Sequence, residues 1–218
     1  SELVKKVERG ELRLPEMQRR YVWSATRVRD LLDSLYRGYP SGTILVWETD
    51  EDVESRDLAV KPTNTPTISQ KLLLLDGQQR ITSLTAILNG QPVQTRSGSK
   101  LRTIDIMFNL EHPEGVPLET TEIDEVDFNT NLEDIEDEET AERDIQEELS
   151  KRIFVVASRT LKNNPIWIPV SDIFKKSERE LLKPLGINSD DEKWEKYSDR
   201  LKKIRDIGSY MYGMQTLG

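Results

Sequence analysis

Residues 72–84 read LLLLDGQQRITSL, and this stretch decides both the fold and the first candidate site. The short apolar run Leu72–Leu75 predicts a buried strand. It ends on Asp76-Gly77 and passes at once into Gln78-Gln79-Arg80, after which Ile81, Leu84 and Leu88 take up the helical period. A strand-to-helix turn with this composition offers free helix-terminal N–H groups and the positive end of the helix dipole, which suit an anion. A bland turn is the competing reading, with glycine supplying the permissive backbone and aspartate bonding nearby N–H groups. An arginine in the first helical turn opposes the dipole, however, and an anionic ligand would relieve that conflict.

Working outward, Leu3 and Val7 predict a short helix before Gly10, and Glu11–Leu14 alternates like a strand that stops at Pro15. A polar and aromatic loop follows, with Gln18, Arg19, Arg20, Tyr21 and Trp23. Arginine offers planar, two-pronged donors to phosphate, and an aromatic neighbour stacks on a base or a guanidinium. Trp23 is expected to pack, and at least one of Arg19 and Arg20 to be functional. Ser24 is the expected N-cap of a helix with Val28, Leu31, Leu32 and Leu35 on one face and Gly38 as its stop. Residues 43–47 form a further expected strand, 49–70 an exposed connection, and 91–100 a loop. Ile104, Ile106, Phe108 and Leu110 alternate as in a half-buried strand. Strands are also expected at 153–156 and 166–170, and a helical pattern beyond Ser171. The pattern breaks off at Gly218, just after an expected helix, as it would in a piece of something longer.

Composition narrows the function classes. The chain has 218 residues, no cysteine and a net charge of −9. Lack of cysteine removes disulfides and thiolate metal sites and fits a reducing cytoplasm. No apolar run is long enough for a membrane span, so no membrane partner is expected. The net charge misleads, because residues 119–148 hold 15 acids and one base, Arg143, leaving the other 188 residues at net +5. This acidic stretch reads as a solvated, partly flexible insertion. No GxxxxGK[ST] loop is present. His112 is the sole histidine, which removes a histidine triad, a multi-histidine metal site and an HNH nuclease centre from these residues, and it is expected in an exposed loop.

The segment LPEMQRRYVWSATRVRDLLDSLYRGYPSGTILVWE, followed by LLLLDGQQRITSLTAILNG, resembles the N-terminal domain of GmrSD-type restriction endonucleases, a family similar in fold to the ParB and sulfiredoxin superfamily. The resemblance is close over 1–110 and thinner over 150–218. It implies an α+β fold: a small ParB/sulfiredoxin-like mixed sheet with packed helices. The expected organisation is a core at 1–110, an acidic insertion at 111–150, and remaining strands and helices at 151–218. The sheet is expected to hold 43–47, 71–75, 104–110 and 153–156, with a helical appendage from about 171.

The resemblance also implies a module that binds and hydrolyses a nucleoside triphosphate (NTP) with Mg²⁺, governing a nuclease that attacks modified or phage DNA. The nuclease centre would lie in a C-terminal or separate domain, and DNA would be met through the full-length protein. The family's nucleotide segment falls on Asp76, Gly77, Gln78, Gln79 and Arg80, and its QR-aromatic box on Gln18, Arg19, Tyr21 and Trp23. Arg20 stands where many members have proline. In the expected mechanism Arg80 and Arg19 or Arg20 clamp phosphates, Asp76 holds the metal or orients the arginine, and Gln78 or Gln79 positions water. The two arginine-bearing stretches should then face each other across a cleft at a sheet edge. Replacing Arg80 by alanine should remove nucleotide binding and leave the fold intact. The alternative is a binding module for DNA or a partner, without turnover, in the same cleft.

Overall fold

The computed structural model describes residues 2–15, 23–50, 53–56, 71–98, 100–115, 147–158, 161 and 163–218. In chain order the elements begin with helix α1 (Glu2–Glu8), strand β1 (Leu12–Pro15), α2 (Ala25–Tyr36), β2 (Ile44–Thr49), β3 (Ser55–Arg56), β4 (Lys71–Asp76) and α3 (Gln78–Leu88). The hairpin β5 (Val93–Ser97) and β6 (Lys100–Ile104) follows, then β7 (Ile106–Asn109), β8 (Phe154–Val156) and β9 (Trp167–Pro169). Helices α4 (Val170–Ile173), α5 (Glu178–Leu182) and α6 (Glu192–Arg205) and strand β10 (Met214–Leu217) complete the described chain.

Strand β4 is the middle of a five-stranded sheet ordered β10-β2-β4-β1-β3. It runs parallel to β1, with Leu12 opposite Leu72, and antiparallel to β2, with Val46 opposite Leu74. A central strand covered on both faces explains the unbroken leucine run, and Leu73 and Leu74 are fully buried. Leu74 packs in a sheet-side cluster with Val7, Leu12, Leu14, Ile44, Val46 and Ile81. Helix α3 serves two cores: Ile81 belongs to the sheet cluster, while Leu84 and Ile87 enter a larger one.

That larger core contradicts the single-sheet expectation. Residues 106–109 and 154–156 leave the β4 sheet and form a separate three-stranded sheet ordered β8-β7-β9. The alternating stretch breaks at Asp105, whose carboxylate accepts from the Ile106 N–H at 2.9 Å. Beyond it, β7 is buried on both faces rather than one. Phe108 enters the main core with Val28, Leu32 and Leu35 of α2, and Met107 faces Val155, Leu161 and Trp167 on the other side. Alternation of aliphatic residues with Met and Asn cannot reveal that both faces are covered. The expected loop at 91–100 contains β5, and the expected exposed connection contains β3.

The C-terminal helices are not an appendage. Leu182 of α5 and Tyr197, Leu201 and Ile204 of α6 sit in the same core as α2, α3 and β7. The Arg200 guanidinium, itself buried, donates to the Leu110 carbonyl at 2.5 Å, so α6 also closes the turn after β7. The chain beyond the helices is a strand: β10 pairs in parallel with β2, Met214 opposite Ile44.

His112 is buried, not exposed as expected. Its Nε2 lies 3.0 Å from the Tyr36 hydroxyl and its Nδ1 lies 2.9 Å from the Pro113 carbonyl. A carbonyl only accepts, so Nδ1 carries the proton and Nε2 accepts from tyrosine. The rings of Tyr36 and Phe108 meet it edge-on, Phe154 packs against both of those rings, and the Lys203 ammonium lies 4.3 Å from the Tyr36 ring centre. Burial pushes the His112 pKa down to about 4; the Pro113 carbonyl pulls the other way, and the charges of Arg200, Lys203 and Arg37 add to the depression. The unfolded chain binds this proton near pH ~6.5. It therefore holds more protons than the folded chain between that pH and about 4. The stability His112 contributes is complete above the upper limit and lost as pH falls through the window. In urea denaturation, His112→Gln should lower the midpoint at neutral pH yet show a shallower loss across the window than wild type. Equal slopes in the two proteins would mean that His112 is not buried neutral.

Candidate functional site

The candidate site grows from the geometry at the end of β4. Gly77 takes a left-handed φ of +98°. A Cβ there would collide with the Ile44 side chain and come within 3.4 Å of the Arg80 guanidinium, so only glycine fits the turn. Gly77 is also the N-cap of α3, and having no side chain it caps nothing. The N–H groups of Gln78, Gln79 and Arg80 thus open the helix without a side-chain cap, at the positive end of its dipole.

Arg80 faces inward across the turn. Its Nη1 donates to the Ser41 carbonyl in a close contact, and its Nη2 donates to the Thr43 carbonyl at 2.8 Å. The Asp76 carboxylate lies 3.3 Å from Nη2. The Arg80 side chain is 14% exposed, against 74% for Asp76, so the cation is spent on the protein while the carboxylate faces solvent. The loop wraps the guanidinium closely: a Cβ on Gly42 would lie 2.5 Å from Nη1. The C-terminal segment adds a second layer. The Ser41 N–H donates to the Tyr210 hydroxyl at 3.2 Å, and the Ile44 N–H donates to the Gly213 carbonyl at 2.8 Å. Burial raises the Tyr212 pKa, opposed by the Ser41 hydroxyl and the Arg80 charge beside it.

Gln79 is buried, and its Oε1 accepts from the Trp23 N–H at 3.1 Å. The Trp23 carbonyl in turn accepts from the Arg96 N–H of β5 at 2.9 Å. Trp23 is therefore stitched between α3 and the hairpin, and its ring packs against the main core, as expected. Trp23, Leu75 and the whole of Asp76–Arg80 line a cleft of about 290 Å³. That is near the lower end of small-molecule sites, ~300 Å³. The cleft sits at the end of the central strand, not at a sheet edge.

The structure thus brings together Asp76, Gly77, Gln78, Gln79, Arg80 and Trp23. Gln18, Arg19, Arg20 and Tyr21 lie outside the described residues. The sequence reading missed Ser41, Thr43 and the Tyr210–Gly213 segment. The glycine in Pro40-Ser41-Gly42 was a visible cue to a tight loop, but the contacts made by backbone carbonyls and Tyr210 left no pattern to find. Among the described residues no three His, Cys, Asp or Glu side chains gather as a metal cluster, and no helix is long and apolar enough to cross a membrane.

A parallel β1–β4 pair, a left-handed glycine at the strand end and an uncapped helix start place this turn within a mixed α/β domain. The family model described as the GmrSD restriction endonuclease N-terminal domain matches residues 1–212, and the chain belongs to that family. An uncharacterized protein of Methanocaldococcus jannaschii is 35% identical over 89 residues, which cover 38% of this chain and 15% of that protein. The chain thus spans a small part of the length of this relative.

The role of Arg80 changes the expected outcome of its removal. Arg80→Ala would strand two carbonyls and release the 41–43 loop. Hydrogen bonds from charged donors contribute ~1.5–3 kcal/mol each, so the loss of two predicts a destabilisation of about 3–6 kcal/mol. Chemical denaturation should show the fold weakened, contrary to the expectation of an intact fold. An Arg80→Ala protein with wild-type stability would remove Arg80 from its structural role. Gly77→Ala should be destabilised as well, since Ile44 is fully buried and cannot swing aside.

Proposed function

We propose that this domain binds and hydrolyses an NTP with Mg²⁺ at the Asp76–Arg80 cleft, and so governs the nuclease of a modification-dependent restriction or phage-defence system. The observation that carries the reading is the pairing of an exposed Asp76 carboxylate with the uncapped start of α3 in one cleft. Mg²⁺ is commonly held by one or two carboxylates with the rest of its shell from water and substrate phosphates, and a lone Asp76 fits that mode. Bound there, the ion would neutralise phosphate charge. The reading also takes the five-stranded sheet as a ParB/sulfiredoxin-like core, supported by its mixed strands and by the ligand turn at the end of β4. Action in the cytoplasm belongs to the same proposal.

In this mechanism the N–H groups of Gln78 and Gln79 receive phosphate oxygens, a role that costs no reorganisation because the turn is fixed by Gly77. Gln79 is committed through Oε1 to Trp23, which leaves half-buried Gln78 as the better placed to orient water. Arg80 acts from behind, holding Asp76 and the 41–43 loop in position. Trp23 offers one wall for a base or sugar. Gln18, Arg19, Arg20 and Tyr21, the sequence leading directly to Trp23, are proposed as the remaining nucleotide contacts.

Asp76→Asn is the decisive variant, because an exposed carboxylate can be neutralised with little cost to the fold. Phosphate release from Mg-NTP should fall by about a hundredfold or more, the scale of losing one preorganised catalytic group. Thermal melting should move little. Release at the wild-type rate from folded Asp76→Asn, or no release by wild type with any of the four NTPs, would defeat turnover. In the latter case calorimetric binding would leave a nucleotide sensor without hydrolysis.

A further inference from the structure

The geometry points to the β5–β6 hairpin as a ribbon that docks on the phosphate backbone of duplex DNA, carried by this domain itself. From Gly77 to Ile104 the chain contains no acid and four bases, Arg80, Arg96, Lys100 and Arg102, although 40 of its 218 residues are acidic. Arg80 lies inside the protein, and the other three fall on the hairpin. The hairpin is a two-stranded sheet of its own, joined to neither larger sheet. Val93 and Thr95 bury its base, while Gln94, Arg96, Lys100, Leu101, Arg102 and Thr103 are exposed.

Register places the cations on both faces. Arg96 is opposite Leu101 on one, and Lys100 and Arg102 stand opposite Ser97 and Thr95 on the other. The Arg96 Nε donates to the Gly98 carbonyl at 3.0 Å, which fixes its guanidinium at the turn. The first acid beyond the ribbon, Asp105, is turned inward to the Ser171 hydroxyl and the Ile106 N–H. The segment itself contributes no carboxylate. Leu101, 65% exposed between basic neighbours, supplies an apolar contact for sugars or thymine methyls. A two-stranded ribbon also has the width to enter a major groove of ~12 Å.

The ribbon is not remote from the cleft. Its Arg96 N–H holds the Trp23 carbonyl, and Trp23 lines the cleft beside Asp76–Arg80. A nucleotide that shifts Trp23 would reach the ribbon through one hydrogen bond. DNA docking itself needs no nucleotide, and it stands whether or not the cleft turns one over.

The test is fluorescence anisotropy of the 218-residue protein with a labelled duplex of mixed sequence, without nucleotide, over a range of KCl. Wild type should bind at low salt, with affinity falling linearly on a log–log plot. The triple variant Arg96→Gln, Lys100→Gln, Arg102→Gln should lose tenfold or more, and its salt slope should be shallower by roughly 2–3, at ~0.9 per phosphate contact. Lys202→Gln on α6, an exposed lysine elsewhere, should bind as wild type. Should the triple variant melt early, Lys100→Glu alone serves, with a several-fold loss expected. A folded ribbon variant with unchanged affinity and slope, or no duplex binding by wild type at the lowest salt, overturns the proposal. The ribbon variants should release phosphate as wild type does in the absence of DNA, so failure of either reading is seen separately.

Discussion

The arrangement at the end of β4 depends on a cation turned inward. Arg80 sits in the first turn of α3, where the helix dipole disfavours it, and is stabilised there by the Ser41 and Thr43 carbonyls and by Asp76. Backbone carbonyls near a guanidinium are worth more than in water because the site is largely closed to solvent. The same contact accounts for Gly42, which has positive φ and where a Cβ would collide with this guanidinium. The contact also ties three distant parts of the chain together: the loop before β2, the turn after β4 and, through Ser41 and Ile44, the Tyr210–Gly213 segment.

Holding the cation inside has an electrostatic consequence for the cleft. Asp76 is fixed against Arg80 from one side and exposed on the other, so its remaining oxygen surface faces outward. An anion entering the cleft meets a carboxylate, the start of a helix and a guanidinium whose donors are already committed. Bare phosphate would be repelled by Asp76. Phosphate carrying a divalent cation would not be, and the proposal of a metal-complexed ligand rests on that difference.

Strand β4, its turn and α3 were legible because local signals agreed: an apolar run, a glycine, then a helical period. Helix α2 was legible for the same reason, with Ser24 capping it as expected. The gathering of Asp76–Arg80 with Trp23 was legible only through the family resemblance. What failed were the questions that tertiary packing decides. Sheet membership of β7 depends on which surfaces cover its two faces, and burial of His112 depends on aromatic rings brought together from α2 and β7. The orientation of Arg80 was hidden because its partners are backbone carbonyls, which every sequence possesses.

The comparison of Arg80 with the hairpin cations shows why residue type alone could not sort them. In the sequence they belong to one acid-free stretch and look alike. Folding separates them by exposure: the first lies under a loop and organises the turn, while the others are exposed on the hairpin. A buried cation fixes geometry, since its hydrogen bonds are directional and costly to leave unmade. Exposed cations on a narrow ribbon fix little, but they create a positive field that a polyanion feels at a Debye length of ~8–10 Å. Trp23 joins the two regions through its amide and its carbonyl. A single residue beside the cleft is thus bonded to α3 on one side and to β5 on the other.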